Sequence, residues 1–470
     1  MYLKRKPVVN VKIHSRAPFK VKRSLFFLLL SIITVLGLLL RLVDYDKVPP
    51  PNETFDELIY AWGGATLITS GTPSSWSNVE PYEGYRPFER FDVRFKIVSP
   101  MIEKPPFYFI LSGLTVLAFG QGDPFYVGHE VIRLLPLVLS IFTILLTGLL
   151  AEKVFGRGPA LIAALLYATV PSIVLANRLS LTENFLTPLV LLTFVLIPRK
   201  FTKARREIIT AGALSTIAIL TKQAGVSLGA SLMLLFALIG RRTHFIIIGL
   251  FTTFGVFSFF AYGAYYDLGL FLDLQKTWRI SHALSGVPEF IASIFRFPTI
   301  GPKEHAFLDG SILFGYLLLF SAPMWLFKDS VRDFRRLLLI VFPFCYLILV
   351  SISASASAQY TFWGWYLYPI FPFMMIFLGY FFWSIYKEND IFKLLLAFLI
   401  IGASTVRFIY INVPRELLYT WQYVFILIFL MVFFVWLLGA RKTVLMFFLF
   451  VVFVGVNIYV DINLDKIYPF

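Results

Sequence analysis

The chain has 470 residues, of which 58% are hydrophobic, 18% aromatic and only 15% charged, with a mean hydropathy of +0.79. A soluble domain of this length carries more charge, so one large soluble core is excluded. The net charge of +15 lies in segments between apolar runs, which points to membrane orientation and away from nucleic acid.

The first residues, MYLKRKPVVNVKIHSRAPFKVKR, are basic and free of acids. The apolar run Ser24–Leu40 follows without a small-residue cleavage site and reads as a retained signal-anchor. Further spans are predicted at 132–151, 159–177, 184–198, 208–221, 226–240, 245–265, 310–327, 337–353, 367–386, 394–411, 420–439 and 443–460. The expected fold is therefore an all-α polytopic membrane protein with about 13 transmembrane helices and no large soluble domain. The single cysteine, Cys345, lies inside an apolar run and reads as a packing residue.

The segment EKPPFYFILSGLTVLAFGQ (Glu103–Gln121) decides the sidedness of everything after it. If it does not cross, the cytoplasmic segments hold 25 of the 42 Lys and Arg but 6 of the 27 Asp and Glu. If it crosses, PRKFTKARRE and KDSVRDFRR fall opposite the basic N-terminus, against the positive-inside rule. The segment is also short for a crossing and starts at Pro105-Pro106. It is expected to be a juxtamembrane or re-entrant helix on the outer face. The organisation is then a basic cytoplasmic tail (1–23), a transmembrane domain (24–460) and a short outer tail (461–470), in a cell membrane. Two outer loops, 41–130 and 266–309, are the places where chemistry would sit.

The first loop opens with PPPNETFDELIYAWGGATLITSG. Thr54 and Glu57 are spaced as in a capping box, which accounts for Glu57 but less well for Asp56. An acid at the membrane surface beside Tyr60 and Trp62 could act as a base. VEPYEGYRPFERFDVRFKIVSPMIEKPP then alternates acids, bases and aromatics, among them Tyr82, Arg86 and Arg94. It reads either as a solvated loop with surface ion pairs or as an anion-binding lining at headgroup depth. Lys104, beside two prolines, is placed to neutralise a phosphate. In ANRLSLTENF, Arg178 and Glu183 are ionisable residues at the membrane edge, readable as caps or as functional groups. Lys222 in ILTKQAG needs an anionic partner, either an acid or a ligand phosphate. Arg279 is a further cation in the second loop, where no spacing singles out one residue. AQYTFWGWYLYPIFPF, with Trp365 and Tyr366, reads as an aromatic belt or as a wall for sugar or lipid. No ligand spacing demands a metal, although a divalent cation is compatible with the acids present.

Five segments together resemble the GT-C superfamily of polyprenyl-phosphate-dependent glycosyltransferases, in the branch of protein O-mannosyltransferases and the lipid A aminoarabinose transferase. They are FDELIYA, IEKPPFYF, VIRLLPLVLS with AEKVFGRGPALIAALLYATVP, NRLSLTENF and LTKQAG, dense over residues 50–230. The resemblance implies a dolichyl or polyprenyl monophosphate sugar donor, with mannose the default sugar. Transfer would go to a protein, glycan or lipid acceptor hydroxyl outside the cytoplasm, with inversion. It also implies that Asp56 is the acid-base residue and Glu183 a second catalytic acid. Lys104 would bind the donor phosphate, helped by Lys222 and by Arg86, Arg94 or Arg279. Glu57, Tyr60, Tyr82, Arg178, Trp365 and Tyr366 would line the substrate site. Where lipid A transferases often carry Arg three positions after the Asp, this chain has Ile59. A lipid-linked-sugar flippase, using the same cationic outer edge, is the alternative from another class.

Overall fold

The computed structural model describes residues 21–198, 205–281, 310–330, 334–353, 364–388 and 442–467, with isolated positions between 390 and 430. The spans expected at 394–411 and 420–439 lie outside the described residues except for those isolated positions, and so does the loop from 282 to 309.

The helices, in chain order, are α1 (Arg23–Leu42), α2 (Asp56–Ser70), α3 (Phe107–Phe119), α4 (His129–Ile132), α5 (Leu134–Phe155), α6 (Arg157–Thr169), α7 (Pro171–Ala176), α8 (Thr182–Leu196), α9 (Arg205–Thr221), α10 (Val226–Leu238), α11 (Arg242–Ser281), α12 (Gly310–Ser330), α13 (Phe334–Ser353), α14 (Phe371–Glu388) and α15 (Lys442–Ile462). Among the described residues, five stretches are long and apolar enough to cross a membrane: Arg23–Leu42, His129–Phe155, Arg242–Thr277, Phe334–Ser351 and Gly364–Glu388. Phe107–Phe119 is shorter, 13 residues, or about 20 Å of helix against a hydrocarbon core of about 30 Å. The predicted span at 159–177 is broken at Val170, where Pro171 starts a new helix.

α6 packs against α1, α5 and α14 and forms the centre of the bundle. Its interior is lined by small residues, Ala160, Ala163, Ala164 and Ala168, all fully buried, which lets neighbouring backbones come close. Large apolar side chains such as Leu28, Val35, Leu250 and Phe257 point outward instead, as expected of a lipid-facing surface. The long helix α11 breaks at Asp267, which has extended dihedrals and whose Oδ1 accepts a hydrogen bond from the amide of Leu270. Just before the break the Tyr266 hydroxyl donates to the Gly71 carbonyl, and beyond it Gln275 donates to the Glu103 carbonyl, so both arms of α11 reach the first loop.

The first loop is not all helix. It contains a three-stranded antiparallel sheet in the order β1-β3-β2, with β1 at Ser75–Trp76, β2 at Arg86–Arg90 and β3 at Val93–Val98. On β3, Phe95 and Ile97 are buried while Arg94 and Lys96 are exposed, the period-2 alternation of a half-buried strand. A two-residue turn, Phe91-Asp92, joins β2 to β3 with φ of 53° and 57°, the left-handed conformation of a tight hairpin. Trp62 of α2 packs on Phe88, Phe95 and Phe125, so a separate aromatic core joins sheet to helix.

Candidate active site

α2 and α3 cross at Gly64 and Gly113. A Cβ on Gly64 would stand 1.9 Å from the Phe109 carbonyl oxygen, so no larger residue permits this approach. The crossing brings the N-terminal ends of the two helices together. Asp56 begins α2, with its amide bonded to Thr54 Oγ1 at 3.2 Å. Lys104 stands just before Pro105-Pro106, which starts α3. Lys104 Nζ lies 3.3 Å from Asp56 Oδ2 and 5.2 Å above the Tyr60 ring centre. Both members of the pair keep some access to solvent, 20% for Lys104 and 25% for Asp56. Burial disfavours the Lys104 charge, but Asp56, Tyr60 and Glu103 outweigh it and hold the ammonium above its usual range.

A second carboxylate–ammonium pair faces the first. Glu183, 1% exposed in the first turn of α8, accepts from Lys222 Nζ on one oxygen and from Thr182 Oγ1 at 2.8 Å on the other. Lys222 reaches it because α9 stops at Thr221 and the backbone becomes extended at Lys222. Lys222 Nζ also sits 4.4 Å above the ring centre of Tyr366, on the 3-10 segment Gly364–Ile370. Tyr60, under Lys104, lies within electrostatic reach of Asp56 and Glu183, and Tyr366, under Lys222, within reach of Glu183, Asp56, Lys104 and Tyr60, so the two pairs share one site. Burial pushes the Tyr60 hydroxyl well above its usual range, so it remains a neutral donor.

The structure therefore assembles Asp56, Tyr60, Lys104, Glu183, Lys222 and Tyr366 from five separate segments. The partner that Lys222 requires is an acid of the chain itself. Trp365 packs edge-on to Tyr366, 6.2 Å between ring centres. Tyr82 lies behind the site, its hydroxyl accepting from the Ile102 amide at 3.2 Å. Beside it Glu103 is buried, accepting from Ser77 Oγ at 2.8 Å. Burial raises the Glu103 pKa, with Lys104 and Ser77 pulling the other way.

Four expected contributors sit elsewhere. Glu57 is neither a capping-box partner nor a lining residue. It is fully buried and accepts from Arg133 Nε and Nη2, at 3.1 and 2.8 Å, and from the Ser180 amide at 2.7 Å. Arg178 does not line the site either, being fully buried and donating to the carbonyls of Val48 and Leu40 at 3.1 and 2.9 Å. Arg94, across from Glu89, lies on the exposed face of the sheet, and Arg86, across from Ile97 at the start of β2, lies at the edge of the packed face, exposed and 5.5 Å from the Phe125 ring centre. The side chain of Arg279 lies outside the described residues.

Several neighbours were not anticipated. Thr182 fixes Glu183, and Tyr346 of α13 lies within electrostatic reach of Glu183 and Tyr366. Gln275 of α11 bridges two loops, donating to the Glu103 carbonyl at 3.4 Å and accepting from Gln223 at 2.9 Å. A threonine next to an acid carries no sequence signal of its own, and the Gln275 contact depends on the break at Asp267.

Residues 103–262 match the family described as dolichyl-phosphate-mannose-protein mannosyltransferase. Glu103, Lys104, Glu183 and Lys222 fall inside that match and Asp56 outside it. Over most of its length the chain shares its fold with GT-C membrane glycosyltransferases of known structure. One is ArnT from Cupriavidus metallidurans bound to undecaprenyl phosphate, with a TM-score of 0.53 and 16% identity, over 94% of this chain and 77% of that one. Another is the Archaeoglobus fulgidus oligosaccharyltransferase tethered to an acceptor peptide, with a TM-score of 0.51 and 15% identity, over 82% of this chain and 54% of that one. The same archaeal enzyme with Zn and sulfate gives 0.50 and 16%, over 80% and 52%. The chain thus spans about half the length of the archaeal enzyme. No curated protein matches it. The fold is GT-C, and the mannosyltransferase family model matches the segment that carries three of the four charged groups in the two ion pairs.

Proposed function

We propose that the chain is a membrane glycosyltransferase that moves a sugar from a polyprenyl or dolichyl monophosphate to an acceptor hydroxyl. The observation that carries this reading is the Asp56–Lys104 pair, a partly accessible carboxylate 3.3 Å from an ammonium that holds its charge. A donor phosphate competes with Asp56 for Lys104. When it takes Lys104, the Asp56 carboxylate is left free to accept a proton. The acceptor hydroxyl gives its proton to Asp56, its oxygen forms the new bond to the anomeric carbon, and the sugar–phosphate bond breaks on the opposite side. The electron pair leaves on the phosphate oxygen, where Lys104 meets the charge. Attack from the opposite side inverts the anomeric centre. Glu183 holds Lys222 beside Tyr366 and gives the site a second cation for the donor.

Mannose is the sugar proposed, because the matched family uses dolichyl-phosphate-mannose. The distribution of Lys and Arg supports a cytoplasmic N-terminus, with the site on the opposite face. A reporter fused after Arg206 is expected to read cytoplasmic, and an external signal would overturn this topology. The reaction is tested with radiolabelled dolichyl-phosphate-mannose, a delipidated host membrane extract and purified protein in detergent. Label passes to a product with the wild type and not with Asp56→Asn. In proteoliposomes, translocation of donor without its consumption would replace the enzyme reading by transport.

A further inference from the structure

The first loop holds an open, shallow cavity of about 540 Å³, lined by none of the residues of the two ion pairs. Its size falls within the range of small-ligand sites, roughly 300–1,000 Å³. Thr66 of α2, Ser74, Tyr85, Arg86 and Ser99 contribute polar groups to it, and Phe125 forms part of its wall. Thr66 Oγ1 and the Ser74 backbone are bonded to each other, which fixes the rim. Ser74 Oγ donates to Ser99 Oγ at 2.8 Å, leaving the Ser99 proton available to a ligand.

The cavity lining holds one cation, Arg86, and no acid among the described residues. Arg86 lines it with its guanidinium carbon 5.5 Å from the Phe125 ring centre, whereas Lys96, 5.3 Å from the Tyr85 ring centre, is not one of its lining residues. Among the described residues, no acid forms an ion pair with either cation. A guanidinium beside a ring, with its donors unclaimed by an acid, suits a carboxylate or phosphate. The hydroxyls beside it and the Tyr85 ring, half exposed at 53%, suit a sugar ring, with its alternating hydroxyl and C–H surfaces. Thr66 lies ten residues beyond Asp56 on α2, about 15 Å along the helix axis. The separation along α2 between this cavity and Asp56 is thus about the length of a few sugar units.

We infer that this cavity binds an anionic saccharide, a carboxylate- or phosphate-bearing sugar unit, as an accessory subsite for the acceptor. Its role as an acceptor subsite rests on the glycosyltransferase reading, whereas binding itself does not. The test titrates the full-length protein in detergent, without donor, and follows ligand signals by saturation-transfer NMR. The probes are methyl glucuronide, glucose 6-phosphate, methyl glucoside and acetate. Methyl glucuronide or glucose 6-phosphate is expected to bind saturably, about tenfold more tightly than either the neutral glucoside or acetate. The probe that binds identifies the anion. Arg86→Gln and Tyr85→Ala should each weaken that binding several-fold while donor binding at Lys104 persists, which reports an intact fold. Asp56→Asn should leave it unchanged. Absence of saturable binding by both anionic sugars overturns the proposal. So does equal binding of the glucoside, equal binding of acetate, or binding indifferent to Arg86→Gln. If the wild type transfers sugar yet fails these titrations, only the subsite is discarded. If the titrations succeed in a protein that transfers nothing, the cavity stands and the reaction assignment falls.

Discussion

Asp56 and Glu57 are neighbours in the chain, and each meets a cation, yet they belong to two unlike regions. Asp56 pairs with a lysine that keeps access to solvent. Glu57 turns about 100° further around α2 into a fully buried knot with Arg133, the Ser180 amide and, 3.9 Å away, His129 Nε2. Arg133 completes the knot by donating to the carbonyls of Tyr45 and Pro49 at 2.9 and 2.7 Å. Every strong group of Glu57 is consumed by the protein. The Asp56–Lys104 pair is long and single, so a ligand can replace either half. The difference lies in saturation: a charge whose partners are all internal holds the loop together, and a charge with spare capacity is available for chemistry.

The comparison breaks first at Asp56. Asp56→Asn is expected to lower transfer by about 10²–10⁴-fold with the thermal midpoint unchanged. Full transfer by this variant would remove Asp56 from the base role. The mirror experiment is Glu57→Gln, which leaves Arg133 as a buried, underpaired cation. It should cost about 3–5 kcal/mol of stability, seen as a lower thermal unfolding midpoint, while any folded fraction still binds donor. A stable, inactive Glu57→Gln protein would move Glu57 into the site. Next in size is Lys104→Ala. Losing a charged hydrogen bond to phosphate, about 1.5–3 kcal/mol, should weaken donor binding about 10- to 100-fold. Unchanged donor affinity would rule out the phosphate contact.

The legibility of these features in the sequence follows the same division. The Asp56, Lys104, Glu183 and Lys222 candidates were readable because each interrupts an apolar or proline-bounded context where a charge needs a reason. The shortness of α3 was readable because Pro105-Pro106 at one end and Gly120 at the other bound its apolar run. The role of Glu57 was not readable, since the capping-box spacing from Thr54 is real and only the fold brings Arg133, 76 residues away, onto the carboxylate. Arg178 looked like a membrane-edge ligand because nothing local reveals that the Val48 and Leu40 carbonyls surround it. The small sheet had a local signal in R-F-K-I, Arg94 to Ile97, where polar and apolar residues alternate. The many charges of that loop masked it, and the hairpin turn at Phe91-Asp92 lacks the usual Asn-Gly pattern.

The smallest expected effect tests the boundary between the two regions, at Glu103. This residue is buried like Glu57 but adjoins Lys104 in the open site. Burial raises its pKa above the usual glutamate value, so the folded protein binds this proton more tightly than the unfolded chain. Stability from the protonated carboxyl is then fully present below the unfolded pKa, about 4.3, and is lost as pH rises through the folded value. Glu103→Gln keeps the shape and a hydrogen-bonding partner for Ser77 but has no proton to lose. The thermal midpoint of the wild type should therefore fall relative to that of Glu103→Gln as pH rises from the acidic range toward neutrality. The opposite trend, with the wild type gaining on the variant, would mean that attraction to Lys104 exceeds the cost of burial. Glu103 would then act as a third carboxylate of the site, competing with Asp56 for the ammonium. In either case the variant should retain transfer, because the Asp56–Lys104 contact does not pass through the Glu103 side chain.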